Sequence, residues 1–150
     1  MSTTTTFNWA GWTNRGTVLT TELNSLATAA YSAVGTLIDN SINKDQWAAL
    51  DVVLASLTPT AGAYLSAFIV ESLDGTTYQD PPVTSNNAGF GMFAGSESLT
   101  IVTGARRVKI GPFRIMPSKL KFVMANNAQV SFAASANTAT LFTTNEVGIT

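Results

Sequence analysis

Nine carboxylates and eight cations, with no histidine and no cysteine, make up the reactive inventory of this 150-residue chain. Without imidazole there is no Ser-His-Asp or Cys-His constellation, no histidine metal ligand and no side chain that titrates unaided near neutral pH. Without thiols there are no disulfide staples and no thiolate metal sites. Two-carboxylate chemistry of the glycosidase kind needs only a facing pair of acids, and Asp39, Asp51 and Glu71 are the positions at which it would be tested. Yet Glu22, Asp39, Asp45, Asp51, Glu71, Asp74, Asp80, Glu97 and Glu146 are scattered, mostly beside turn residues where Asp is ordinary punctuation. The chain therefore reads as a non-enzyme with no catalytic residue, no cofactor and no metal.

Two motifs come near a ligand signature and fail it. Asp39-x-Ser41-x-Asn43-x-Asp45 has the oxygen spacing of a calcium loop, but Lys44 stands where the loop needs glycine and Leu50 where it needs a bidentate glutamate. Gly89-Phe90-Gly91-Met92-Phe93-Ala94-Gly95 departs from the dinucleotide pattern and reads as a loop whose Phe90, Met92 and Phe93 could form a contact surface.

Charge is unevenly placed. Arg106, Arg107, Lys109, Arg114, Lys119 and Lys121 fall within one short stretch, whereas the first 100 residues hold eight acids against Arg15 and Lys44. The formal net charge of −1 and the scarcity of interleaved aromatics argue against nucleic acid, so the basic stretch suits an acidic protein surface or plain strand solvation. No apolar run approaches membrane-spanning length, and the opening Met1-Ser2-Thr3-Thr4-Thr5-Thr6 lacks the features of a secretory signal, so no membrane partner and synthesis in the cytoplasm are expected.

The elements that must carry these residues are short strands. Composition is 45% hydrophobic but only 11% charged, against roughly 25% in an ordinary domain. Such a surface suits burial in an assembly, because interface centres exclude Lys, Asp and Glu. Residues 1–20 read as an extended N-terminal arm in which Phe7, Trp9 and Trp12 must dock on something, and residues 21–150 as a β-sandwich domain. Thr20–Ala30 reads as a short helix or turn and Tyr31–Ile38 as a strand. Trp47–Leu57 places Leu50, Val52 and Leu54 on one face, and Ala63–Val70, apolar on both faces, fits a central strand. Asp74-Gly75 marks a turn, and Gln79–Gly91 is too rich in Pro, Ser and Asn for regular structure. Spacing of two then recurs at Leu99 and Ile101, at Val108 and Ile110, at Leu120, Phe122 and Met124, at Val130 and Phe132, and through Thr138–Thr144, with turns at Asn126-Asn127 and Ser135-Ala136-Asn137. Six or more such strands predict an all-β sandwich or jelly roll.

The stretch Ala48–Tyr78, with Leu54-Ala55-Ser56-Leu57-Thr58-Pro59-Thr60-Ala61-Gly62-Ala63-Tyr64 and Glu71-Ser72-Leu73-Asp74-Gly75-Thr76-Thr77-Tyr78, resembles small virion proteins of tailed bacteriophages. So does Val108–Leu141, with Ile110-Gly111-Pro112-Phe113, Lys119-Leu120-Lys121-Phe122 and Asn126-Asn127. Together these cover about half of the chain. The resemblance implies a jelly-roll-like decoration or cement protein on the surface of the phage head, binding the major capsid protein where capsomers meet. It also implies a homo-oligomer, a trimer before a dimer, and an N-terminal arm that reaches a neighbour. The arm's aromatic content, with Arg15, Phe90, Met92, Phe93, Arg106 and Arg107, supplies the expected partner-binding residues. The rival expectation is a carbohydrate-binding or tail-fibre-type adhesion domain, because aromatics on a jelly roll can stack on sugars; it requires an exposed platform on the folded domain.

Overall fold

Alternation of apolar and polar residues dominates the chain, and the computed structural model turns it into strands: residues 6–81 and 92–149 are described, with side chains over 10–81 and 92–146. Two four-stranded antiparallel sheets pack face to face as an all-β sandwich. The first holds β2 (Thr13–Leu19), β9 (Thr138–Thr144), β4 (Trp47–Leu57) and β7 (Gly104–Arg114), in that order. The second holds β3 (Ile38–Asp39), β8 (Lys119–Asn127), β5 (Tyr64–Ser72) and β6 (Met92–Ser98). Outside both, among the described residues, β1 (Thr6–Trp9) and β10 (Glu146–Ile149) pair only with each other, Thr6 opposite Ile149 and Trp9 opposite Glu146.

The core follows from parity. Leu50, Val52 and Leu54 of β4 face Leu65, Ala67 and Ile69 of β5, and Ile110, Leu120, Phe122, Met124 and Leu141 fill the space between them. Fully burying such a side chain contributes about 1.5–3 kcal/mol. β4 and β9 have the expected ends, and β5 lies between β8 and β6 with Phe68 and Val70 of its outer face also buried.

Several expectations are corrected. Tyr31–Ile38 is not a continuous strand: it bridges β8 at Tyr31 and forms a ladder only at Ile38–Asp39. The reason is that it serves two sheets. The Gly35 amide donates to Phe122 O of β8 at 2.9 Å, while the next amide, Thr36, donates to Val18 O of β2 at 2.8 Å. A ladder with one strand cannot do both. Thr20–Ala30, by contrast, holds the short helical turn expected of it, a 3-10 helix at Thr21–Leu23.

Leu99 and Ile101 lie beyond the strand: β6 ends at Ser98, Leu99 is buried, and Ile101 is exposed in the following loop. Val130 and Phe132 form no strand either; the Phe132 amide donates to Leu26 O, and side-chain bonds from buried Asn126 hold this loop. Asn126 is not an exposed turn residue but the buried end of β8. Its amide nitrogen donates to the carbonyls of Leu26, Ala27 and Val130, and its oxygen accepts from the Ala128 amide. Met92 and Phe93 belong to strand β6, not to a loop, because pairing with Ile69 and Phe68 satisfies their backbone. Phe90 and most of the Gln79–Gly91 segment lie outside the described residues.

The span 1–20 is divided. Thr13–Leu19 is the edge strand β2 of the first sheet, and Thr6–Trp9 belongs to the terminal ribbon.

Candidate functional site

Ala49, Asp51 and Val53 of β4 point away from the core, and so do Arg107 and Lys109 of β7 and Phe142 of β9. These side chains give the outer face of the first sheet its chemistry. Arg107 grips Asp51 through a fork: Nε donates to Oδ1 at 2.9 Å and to Oδ2 at 3.1 Å, and Nη2 donates to Oδ2 at 2.6 Å. The hydrogen bonds to Asp51 and its negative charge raise the guanidinium still further above its ordinary range. Lys109 stands directly opposite Asp51 in the ladder, yet Asp51 is taken by Arg107. The ammonium of Lys109 lies instead over the Trp12 ring, 5.2 Å from its centre. Such a contact contributes about 0.5–1 kcal/mol at an exposed site.

Trp12 is held there by the link between β1 and β2. The Ala10 amide donates to Asn145 O at 2.9 Å, and Thr144 Oγ1 donates to Ala10 O at 2.6 Å, so the chain crosses the end of β9 at a fixed height. Ala49, in the middle of the face, is too small to fill the space beneath. The result is a shallow depression of about 270 Å³ lined by Trp12, Ala49, Asp51, Arg107, Lys109 and Phe142. Trp12 remains 43% exposed. A second cation–indole pair repeats the arrangement further along β7, with the Arg114 guanidinium 5.1 Å from the Trp47 ring centre and Trp47 Nε1 donating to Glu146 Oε1 at 3.1 Å.

The expected contact residues separate into distinct places. Trp12 and Arg107 meet at the depression. Phe7 and Trp9 lie in the β1–β10 ladder, opposite Gly148 and Glu146. Arg15 is occupied within the fold, bound to the buried carboxylate of Asp45 at 2.7 Å and to Thr143 Oγ1 at 2.9 Å. Arg106 points to the other side of β7, with Nη2 near Thr100 O and a buried Nε that has no partner among the described residues. Met92 and Phe93 lie on the opposite sheet, where Phe93 is 58% exposed and stacks edge-on against Phe68.

Glu71 and Asp74 line one cavity, and Asp51 and Asp39 lie away from it. Asp51 is held by Arg107, and Asp39 caps the helix α1 (Asn40–Asn43) through the Ser41 amide. Glu71, with one buried oxygen lacking a partner among the described residues, lines this space with Asp74, Tyr78 and Gln79. Desolvation raises Glu71 above the ordinary carboxylate range, against the opposing effect of the Met116 backbone. In the calcium-like motif, Asp39 serves the helix cap and Asp45 serves Arg15; among the described residues no cluster of three metal-ligating groups occurs.

Sequence reasoning missed Asp51, Lys109 and Phe142 as neighbours of Trp12 and Arg107. The parity of β4 and β7 was available as a signal; the crossing of the 10–12 link over β9 was not. No protein-family model matches this chain, and no curated protein matches it.

Proposed function

We propose that this chain is a virion structural protein of a tailed bacteriophage, a decoration or cement protein made in the host cytoplasm and bound to the major capsid protein on the head surface as a homo-oligomer, a trimer before a dimer. The observation that carries the reading is the terminal ribbon. Among the described residues β1 and β10 pair with one another and with no other strand, and a two-stranded ribbon of four residues, roughly 13 Å long, is marginal on its own in water. Docking on a partner would complete it, with Phe7 and Trp9 as aromatic anchors of the kind that dominate interface energies. The strand order also supports the reading: β2-β9-β4-β7 facing β3-β8-β5-β6 is compatible with a jelly roll, an architecture shared by viral capsid and lectin domains. The mechanism is linkage, since a protein that binds only the assembled shell lowers that state's free energy by its own binding free energy.

The test mixes the full chain with undecorated heads and follows binding and the shell's melting temperature. Binding with an upward shift is expected, and Phe7→Ala with Trp9→Ala should weaken it by about tenfold or more. Absence of binding to heads would refute the proposal.

A second reading, a glycan-binding adhesion domain, is favoured by one observation: Trp12 is partly exposed beside a depression on the folded sheet, as an aromatic platform for a sugar requires.

A further inference from the structure

We infer that the depression beneath Trp12 is a binding site for a single pyranose ring that carries a carboxylate, a uronic-acid type of sugar. The inference rests on the glycan-binding reading and names its ligand class.

The floor is apolar and the rim is polar. Trp12, Ala49 and Phe142 offer C–H and π surface to the flat side of a ring, the division of labour seen in small-ligand sites. At about 270 Å³ the space is just below the range that holds drug-sized ligands, so one ring fits and an enclosed oligosaccharide does not. On the rim the Arg107–Asp51 fork consumes the Nε hydrogen and one hydrogen of Nη2, leaving three of the five guanidinium N–H groups without a protein acceptor in that contact. Asp51 retains lone-pair capacity beside them. A planar array of donors next to acceptors matches adjacent hydroxyl groups, each of which both donates and accepts.

Lys109 selects the acid. Arg107 and Asp51 neutralise one another, whereas among the described residues no carboxylate pairs with the Lys109 ammonium, which rests only on the indole. That leaves one uncompensated positive charge at the edge of an apolar, ring-sized depression. A carboxylate on the ring would meet it in a charge-assisted hydrogen bond, while the ring stacks on Trp12.

A one-sided site for a ligand of about a dozen non-hydrogen atoms gives a Kd on the order of 1 mM. The experiment titrates the full chain with methyl glucuronide, methyl glucoside and acetate, following the Trp12 indole N–H and the Arg107 Nε–H resonances by NMR. Methyl glucuronide should shift both, saturate near that Kd, and bind about tenfold tighter than the glucoside. Lys109→Gln should remove that preference and leave the weaker neutral binding, and Trp12→Ala should abolish both. Because Lys109 is a solvent-facing residue of an edge strand, Lys109→Gln keeps the test informative if Trp12→Ala misfolds. Equal binding of glucuronide and glucoside would overturn the acidic preference while leaving the glycan reading in place. No shift of the indole with either sugar would overturn both, and acetate matching the glucuronide would overturn the sugar assignment.

Discussion

Replacing Gly35 by alanine should destabilise the sandwich far more than an exposed methyl group ordinarily does. A Cβ at this position would lie 2.1 Å from the Val18 carbonyl oxygen and 2.7 Å from Leu19 Cδ2. Carbon and oxygen settle at about 3.3 Å or more, so one backbone must retreat by about 1 Å. Neither is free to do so. Val18 O accepts from the Thr36 amide at 2.8 Å, the Gly35 amide donates to Phe122 O at 2.9 Å, and Val18 and Leu19 are both buried. Overpacking of this kind costs about 1–3 kcal/mol, and weakening two hydrogen bonds adds about 1 kcal/mol each. The lower entropy of an unfolded chain carrying alanine returns about 0.5 kcal/mol. The net loss is about 3 kcal/mol, a large share of the roughly 5–15 kcal/mol that holds a domain together. For a chain of this size the melting temperature should fall by about 6–12 °C. Circular dichroism melts of Gly35→Ala and Gly11→Ala form the assay, because a Cβ at Gly11 meets nothing within 4 Å and should leave stability unchanged. A Gly35→Ala protein that melts within about 3 °C of the parent would refute the claim that this residue is the close crossing between the sheets.

Asn126→Ala should cost about 3 kcal/mol in denaturant titration, because the carbonyls of Leu26, Ala27 and Val130 lose their side-chain donor and the Ala128 amide its acceptor. Glu71→Gln should stabilise the protein at pH 7: desolvation raises this carboxyl in the folded state, so its ionised form is a burden above the raised value, and the advantage of the amide should vanish as pH falls below about 4.5. Asp74→Asn should do the reverse. The amides of Thr77 and Thr76 hold Asp74 well below the usual carboxylate range, so its contribution is present above about pH 4 and is lost as pH falls further; thermal melts across that window should show the two proteins converge at low pH.

Strands whose faces alternate were legible because burial imposes a period of two: Leu50, Val52 and Leu54 announced β4, and Thr138–Thr144 was readable to its ends. What escaped was structure made by side chains. Asn126 and Asn137 look like turn residues, yet both are buried. Asn137 accepts from the Ala55 amide and donates to Asn24 Oδ1 and Ala133 O, replacing a regular ladder with bonds that reach across the sequence. Tyr31–Ile38 misled for a related reason, since its amides are divided between two sheets and no local pattern records that division. The candidate site was half visible. Trp12 and Arg107 stand out by type, but their meeting depends on a loop crossing β9, which is a tertiary event.

The pairing of Thr6 with Ile149 gives the polypeptide a shared exit. Anything joined ahead of the first strand and anything joined behind the last would emerge side by side from one pole, so two appended modules would be held within reach of each other. A short tether between those ends would close the chain into a ring without pulling apart either layer of the sandwich.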